Sequence, residues 1–393
     1  MKRLDLHRSP TFLKRPGVFS DPLIAASLLI GYTPGVSEEK VHVVSEEMQV
    51  IREYAGDFFC TDPEDIAVEK LAGDASTRRY FRLRLPDGTS FVVARYAEPF
   101  DPASHPYCDV TALFLAANLP VPDLFDVNGS LGMMLLQDLG DLRLQDWVPR
   151  ATPGERLRAY RESVDLIIRI QEATQLAFDR GSVASRLAFD EEKLGWELRF
   201  FYTHFFETYL RDPLSPGEKE KVLAECEGIA RALAALPRVL THRDFHSRNL
   251  MLCNGRQYII DHQDARLGPA SYDLASLLGD PYVVLDQELV EEIFAYFIER
   301  KADREGEWAR PSRRREFKQE FDLMTVQRLL KATGTYAYQT TVVGNSVYVP
   351  YIGRALQRAL VALEQVNRFP ALHRAVARAL DILEQCDGAL TGE

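Results

Sequence analysis

The pattern of apolar and polar positions changes near residue 137. From residue 60 to that point, short runs of apolar residues alternate with turn sequences, as is typical of β-strands. We predict one helix over residues 109–118 and strands at residues 67–71, 80–85, 91–96, 121–127 and 133–136. These elements indicate a small lobe rich in strands.

Beyond residue 137, apolar residues recur every three to four positions, which predicts helices. Residues 152–155 (Thr-Pro-Gly-Glu) and 215–218 (Ser-Pro-Gly-Glu) each have the sequence of a capping box with proline at the first helical position. Residues 194–210 predict a third helix, and its Phe201, Phe205, Phe206 and Tyr209 are expected to lie in the core. The second part of the chain is therefore expected to be mainly helical.

These patterns favour an α+β fold with two lobes. Residues 1–46 show little periodicity, and we interpret them as an N-terminal extension with partial disorder. Residues 47–137 are predicted to form a nucleotide-binding lobe, and residues 138–393 a helical lobe that carries the catalytic loop and the acceptor site. Residues 137–140 (Gln-Asp-Leu-Gly) are the predicted hinge.

Composition and charge narrow the classes of function. The 393-residue chain has a net charge of -11 and a pI near 5.4, which argues against a general nucleic-acid binder. Its five cysteines are scattered, as expected for reduced thiols in a cytosol. No stretch approaches the roughly 20 apolar residues that span a bilayer. We expect a cytoplasmic protein without a nucleic-acid or membrane partner, and its oligomeric state is left open.

Residues 242–249 (His-Arg-Asp-Phe-His-Ser-Arg-Asn) carry the strongest chemical signal, together with Asp261 at the end of an apolar run. Phosphoryl transfer needs a carboxylate near the attacking hydroxyl and oxygen ligands for Mg²⁺. Asp244 is the candidate base, and Asn249 and Asp261 are the candidate metal ligands. His242 is assigned to the catalytic group as a residue that braces the loop. Between them, Asn254-Gly255 predicts a tight hairpin.

A simpler interpretation is a polar turn in which Asp244 and Asn249 only cap backbone groups. We favour the catalytic interpretation because a loop, a hairpin and a second carboxylate converge on one place. Asp273, at a predicted helix start, either braces this loop or only interacts with the helix dipole.

Other segments supply candidate nucleotide contacts. Ser76, Thr77 and Arg78 lie in a turn between two predicted strands that could bind phosphate oxygens, although an ordinary hairpin turn is the alternative. Main-chain groups of Gln137 and Leu139 are candidates for the adenine ring. Arg95 stands where protein kinases have a strand lysine, with Asp109 as the nearest helical acid.

Together these residues resemble the aminoglycoside phosphotransferase and choline kinase superfamily. Within it, residues 73–82, 135–140, 242–251, 261–265 and 327–331 are most similar to the bacterial kinases that phosphorylate N-acetylmuramate and N-acetylglucosamine at the anomeric hydroxyl. The resemblance implies a two-lobed protein-kinase-like fold, ATP in the cleft, Asp244 as base, and Mg²⁺ on Asn249 and Asp261. His262 and the tyrosine-rich residues 335–351 depart from the usual pattern.

The leading hypothesis is an ATP- and Mg²⁺-dependent kinase for a small-molecule acceptor, a sugar or amino-sugar hydroxyl. Arg248, Asp264 and Arg328 are candidate acceptor contacts, and ion pairs without an acceptor role are the alternative for each. Two other functions stay open at this point: a kinase for an aminoglycoside or choline-like amino alcohol, and a catalytically silent nucleotide-binding adaptor.

Overall fold

The computed structural model describes residues 38–71 and 78–391, with side chains for residues 46–71 and 78–385. The chain divides into two units, residues 1–50 and 51–393. Helix α1 (Glu38–Phe59) belongs to both, and its described residues 38–50 lie in the first unit. The helix begins at Glu38, and Glu38, Glu39 and Lys40 are good helix formers.

Five antiparallel strands form the sheet of the second unit. They are β1 (Ala67–Lys70), β2 (Arg79–Arg84), β3 (Ser90–Arg95), β4 (Leu124–Asn128) and β5 (Met133–Gln137). Their order in the sheet is β1-β2-β3-β5-β4. Each strand was predicted within a few residues, because most of them are short apolar runs between turn sequences.

The two faces of this sheet have different neighbours. On one face, Ala94, Met134 and Leu136 pack with Tyr107 of helix α2 (Pro106–Ala116). On the other, the ring of Phe91 lies 4.6 Å from the ring of Phe59 in α1. The first face opens onto the cleft described below, and the second does not.

Helices dominate the rest of the unit. They are α3 (Leu144–Trp147), α4 (Pro153–Glu172), α5 (Thr174–Asp179), α6 (Glu191–Phe201), α7 (Pro216–Ala234), α8 (Tyr272–Leu278), α9 (Gln287–Ala302), α10 (Pro311–Tyr338), α11 (Val349–Val366) and α12 (Pro370–Thr391). The capping boxes predicted at Thr152 and Ser215 are both formed, at the starts of α4 and α7. The α+β class is confirmed.

Two short sheets carry the catalytic motif. Strand β6 (Arg238–Thr241) pairs with β9 (Arg266–Pro269), and β7 (Leu250–Cys253) pairs with β8 (Arg256–Ile259). Asn254 and Gly255 both have positive φ angles, 51° and 74°, as the predicted tight hairpin between β7 and β8 requires. Residues 242–249 therefore lie in the short connection from β6 to β7, and each of these two strands pairs with another strand.

Candidate active site

A cleft with a volume of about 810 Å³ lies between the cleft face of the sheet and the helical part. It is lined by predicted site residues from both sides: Arg78, Gln137, Leu139, Asp244, Arg248, Asn249, Asp261, Asp264 and Arg328. This volume is in the range of ligand sites in proteins. Ser76 and Thr77 lie outside the described residues.

Buried carboxylates hold the catalytic loop by its backbone. The side chain of Asp273 accepts hydrogen bonds from the N–H groups of His242, at 2.7 Å, and Arg243, at 3.1 Å. Asp280 accepts one from the N–H of Ser247, at 2.8 Å. Both carboxylates are almost completely buried. The predicted bracing role of Asp273 is confirmed, and Asp280 adds a second brace that sequence reasoning missed.

His242 links the loop to the strand that precedes Asp261. Its Nε2 donates to the carbonyl of Ile260, at 3.0 Å, and the N–H of Ile260 donates to the carbonyl of Asn249, at 3.0 Å. His242 is fully buried and is not among the cleft-lining residues. Its contacts fit the bracing role and do not bring its ring to the place where a substrate would bind.

Positive charges surround the carboxylate of Asp244. Its Oδ1 lies 2.9 Å from Nζ of Lys331 and 3.3 Å from Nη2 of Arg328, and its Oδ2 lies 3.7 Å from Nε of Arg243. Burial opposes ionisation of Asp244, but these cations outweigh it and hold its pKa well below the ordinary value. Asp244 is therefore an anion throughout the neutral pH range.

Asn249 and Asp261 present oxygen atoms to the cleft. Nδ2 of Asn249 donates to the carbonyl of Asp244, at 2.9 Å, which turns its Oδ1 away from the loop. Asp261 adopts a left-handed backbone with φ of 61°, a conformation uncommon outside glycine. Hard oxygen donors of this kind fit Mg²⁺.

The described residues contain no group of three or more His, Cys, Asp or Glu side chains placed to hold a metal. An ion at Asn249 and Asp261 would therefore need further oxygen ligands, and nucleotide phosphates and water have the right chemistry.

Arg78 lines the cleft and contacts two residues that follow β8. Its Nη2 lies 2.7 Å from Oδ1 of Asp261, and its Nη1 donates to Oε1 of Gln263, at 3.1 Å. Burial opposes ionisation of Asp261, but Arg78 and the side-chain amide of Gln263 outweigh it and hold its pKa below the ordinary value. One guanidinium thus joins β2 to the helical part.

The hinge residues lie beside the sheet. The N–H of Gln137 donates to the carbonyl of Asp123, at 2.9 Å, and Leu139 lines the cleft in the connection that follows β5. Arg82 of β2 forms ion pairs with Asp138 and Asp141, each at 2.8 Å, so the connection is fixed to the sheet.

The structure contradicts the prediction that Arg95 takes the place of the strand lysine. Side chains alternate along a strand, and Val92 faces the cleft, so Arg95 shares the opposite face with Phe91 and Val93. The acid suggested as its partner, Asp109, instead accepts hydrogen bonds from Ser182 and the N–H of Val183.

The three candidate acceptor contacts all line the cleft. The guanidinium of Arg248 lies 4.6 Å from the ring centre of Tyr282, and Arg328 donates to Tyr272 and Ser276. Asp264 is 2.5 Å from Nη1 of Arg243. Each of the three forms internal contacts, and their contact with an acceptor stays a prediction.

Two cleft residues were missed by sequence reasoning: Lys331 and Glu197. Lys331 follows Arg328 by three positions, so both reach the same side of α10 and meet Asp244. Two charged residues three positions apart in an otherwise uncharged stretch of the helix were the feature of the sequence that could have indicated them as site residues. Glu197 stands among aromatic residues of α6. The only feature of the sequence that could have indicated a site residue there was an acid in an apolar run.

In the described part of the chain, no helix is both long enough and apolar enough to cross a membrane.

Comparisons with known proteins agree with this geometry. A family model described as "Phosphotransferase enzyme family" matches residues 67–317. An N-acetylmuramate/N-acetylglucosamine kinase of Neisseria meningitidis serogroup B is 34% identical over 302 residues, which cover 74% of this chain and 84% of that protein.

Solved structures with the same fold have low sequence identity. Choline kinase from Cryptosporidium parvum Iowa II has a TM-score of 0.56 at 11% identity, covering 85% of this chain and 97% of that one. An amicoumacin kinase in complex with AMP-PNP, Ca²⁺ and Ami has a TM-score of 0.53 at 15% identity, covering 82% and 96%. The predicted two-lobed kinase-like fold is confirmed, and the chain belongs to the phosphotransferase enzyme family.

Proposed function

We propose that the protein is an ATP-dependent kinase that phosphorylates a hydroxyl group of an N-acetylated amino sugar. The observation that carries the proposal is the meeting of Asp244, Asn249 and Asp261 in one cleft. The activity named for the relative from Neisseria meningitidis supports the choice of acceptor, because the match covers most of both chains.

In this proposal the nucleotide lies against the sheet. Arg78 contacts its phosphates, together with Ser76 and Thr77, and the connection at Gln137 and Leu139 contacts the adenine ring. Asn249 and Asp261 would hold Mg²⁺. The ion neutralises charge on the phosphates when it is bound.

The acceptor hydroxyl would bind beside Asp244. Because Lys331 and Arg328 contact Oδ1, the hydroxyl is expected to approach Oδ2. The acceptor oxygen attacks the γ-phosphorus as the bond from that phosphorus to the β–γ bridging oxygen breaks. ADP leaves with the bridging oxygen, and the hydroxyl proton passes to Asp244 and then to solvent.

A carboxylate with a low pKa is a weak base, yet it suits this reaction. In a loose phosphoryl-transfer transition state, the acceptor proton becomes acidic only as the new O–P bond forms. Early proton abstraction is therefore not required of Asp244. Its main task is to orient the hydroxyl, for which a permanently ionised oxygen is well adapted.

The charges near Asp244 disfavour the amino alcohol and aminoglycoside acceptors. Lys331, Arg328 and Arg243 surround Asp244, and Arg248 also lines the cleft. A cationic acceptor would be repelled by them, whereas a neutral or anionic sugar would not. The silent adaptor is disfavoured by the complete set of Asp244, Asn249 and Asp261.

The test is a phosphotransfer screen with ATP and Mg²⁺ over N-acetylglucosamine, N-acetylmuramate, an aminoglycoside and choline. Phosphorus NMR of the product identifies the phosphorylated position, and mild acid releases phosphate from an anomeric ester but not from other sugar monoesters. Omission of Mg²⁺ is the control. Phosphorylation of choline or the aminoglycoside in preference to both sugars would overturn the proposal.

A further inference from the structure

Helix α6 presents a polar and aromatic surface to the acceptor end of the cleft that the mechanism above does not use. Trp196, Glu197 and Phe200 all line the cleft. Trp196 and Phe200 are one turn apart, with ring centres separated by 5.1 Å, and Glu197 lies beside them. Trp196 is half-exposed, whereas Glu197 is buried.

Glu197 has one oxygen with a hydrogen bond and one whose recorded contact is an ion pair with Lys193. Its Oε2 accepts a hydrogen bond from Nε2 of Gln327, at 2.8 Å. Its Oε1 is buried and forms no hydrogen bond within the described residues, and it lies 3.4 Å from Nζ of Lys193. The residue is only 1% exposed. A buried carboxylate oxygen without a hydrogen bond is costly, so a donor from a ligand would be stabilising there.

This carboxylate is connected to the catalytic centre. Its partner Gln327 precedes Arg328 on α10, and Arg328 contacts Asp244. Glu197 and Asp244 therefore lie on the same cleft and are joined through two neighbouring residues of one helix. A ligand that reaches Glu197 is placed at the acceptor side rather than at the nucleotide side of Asp244.

Trp196 supplies a flat apolar surface beside this oxygen. Its side chain is 49% exposed, although it lines the cleft, and Nζ of Lys193 lies 4.4 Å from its ring centre. Phe200 continues the surface towards Tyr338, whose ring centre lies 5.5 Å away. A pyranose ring has C–H groups on its faces and hydroxyls around its edge, so it can stack on an indole and donate hydrogen bonds sideways.

We propose that Trp196 and Glu197 form the sugar-binding subsite. The ring of the acceptor stacks on Trp196, and a non-reacting hydroxyl or the acetamido N–H donates to Oε1 of Glu197. The subsite selects neutral hydrogen-bond donors on a ring-shaped acceptor. This inference rests on the proposed function, because it names how the sugar is recognised.

The variant Glu197→Gln tests the role of Oε1 as a hydrogen-bond acceptor without changing the shape of the side chain. Its side-chain oxygen can still accept from Gln327, whereas an NH₂ group replaces Oε1. Loss of a hydrogen bond to a charged group predicts a roughly 10- to 100-fold rise in KM for the sugar. KM for ATP is expected to stay unchanged, because the nucleotide lies at the other end.

Substrate analogues distinguish this role from a purely structural one, in which Glu197 only forms an ion pair with Lys193. Each analogue lacks one non-reacting donor of the sugar, and kcat/KM is measured for all of them with both enzymes. We expect one analogue to be a poor substrate of the wild type but to lose little further activity in Glu197→Gln. Equal losses for the sugar and for every analogue would overturn the proposal.

Two further variants complete the experiment. Glu192→Gln, on the exposed side of the same helix and outside the cleft lining, is the matched control and should behave as wild type. Trp196→Ala should raise KM for the sugar, and Trp196→Phe should restore part of the loss. An unchanged KM in Trp196→Ala would also overturn the subsite. Lack of sugar phosphorylation by the wild type would instead contradict the proposed function itself.

Discussion

The two ends of the cleft are built in different ways. At the catalytic end, Asp244, Asn249 and Asp261 lie on one loop and after one hairpin, and the backbone of the loop is fixed by the buried carboxylates of Asp273 and Asp280. At the acceptor end, side chains from α6, α10 and the segment after α8 meet across long sequence separations, as in the contact between Glu197 and Gln327.

This difference separates chemistry from recognition. The catalytic end depends on the positions of main-chain atoms, which many hydrogen bonds define together. The acceptor end depends on single side chains, each replaceable without moving the backbone that carries Asp244. Changes at the catalytic end are therefore expected to alter turnover for all acceptors, and changes at the acceptor end to alter the choice among them.

The largest effect is expected for Asp244→Asn. The amide cannot accept the hydroxyl proton, so kcat should fall by roughly 10²- to 10⁴-fold. The loss should be the same for every acceptor, and binding of a non-hydrolysable ATP analogue should be retained. Steady-state kinetics and calorimetry measure the two effects. Turnover close to wild type would remove Asp244 from the mechanism.

The next largest effect is on stability. Asp273→Ala leaves the N–H groups of His242 and Arg243 without their acceptor in a buried place, which should lower the free energy of unfolding by about 2–4 kcal/mol. Urea denaturation measures it. Asp286, an exposed N-cap of α9 with one N–H donor, is the control, and Asp286→Ala should cost about 1 kcal/mol. Equal losses in both variants would mean that the brace has no special importance.

Removal of the Lys331 ammonium group should shift the pH dependence of kcat/KM. Asp244 has a depressed pKa in the folded state, so its ion pairs stabilise the protein above the pKa of an unfolded carboxyl, about 3.9, and that contribution is lost as pH falls through the folded pKa. Lys331→Met removes one cation and should raise the pKa of Asp244. The acid limb of kcat/KM should then shift to higher pH, and an unmoved limb would contradict this.

The smallest effect is expected for Arg248→Lys at the acceptor end. The guanidinium stacks against Tyr282 and Tyr348, and an ammonium group cannot reproduce this planar contact. The contact contributes about 1 kcal/mol of binding free energy, so its loss should change KM by a few-fold. KM should change more for N-acetylmuramate, which carries a carboxylate, than for N-acetylglucosamine. Equal changes for both sugars would assign Arg248 to the structure alone.

The catalytic end could be predicted from the sequence because its determinants are local. The spacing from His242 to Asn249, the hairpin at Asn254-Gly255 and the capping box at Thr152 each require only neighbouring residues. Asp261 followed from the end of an apolar run. In each case the chemistry of a short segment was sufficient.

The acceptor end could not be predicted in this way. Lys331 and Glu197 become site residues only after α6 and α10 pack together, and their spacing from residue 244 has no local meaning. Arg95 failed for a related reason, because the face of a strand that meets the cleft is decided by tertiary packing. Strand β9 was missed because Gly268-Pro269 has the composition of a turn. The glycine is there for a tertiary reason, since a Cβ atom at position 268 would lie 2.8 Å from the ring of Phe189.

Arg78 and Asp261 form an ion pair across the cleft, and this pair has a consequence for ligand entry. A phosphate group competes with the carboxylate for the same guanidinium, while a divalent cation competes with the guanidinium for the same carboxylate. Either competitor alone leaves one charge without its counterpart, and both together restore neutrality. With the nucleotide and its metal placed as in the proposed function, this pair would favour a nucleotide that arrives with its metal over either one alone.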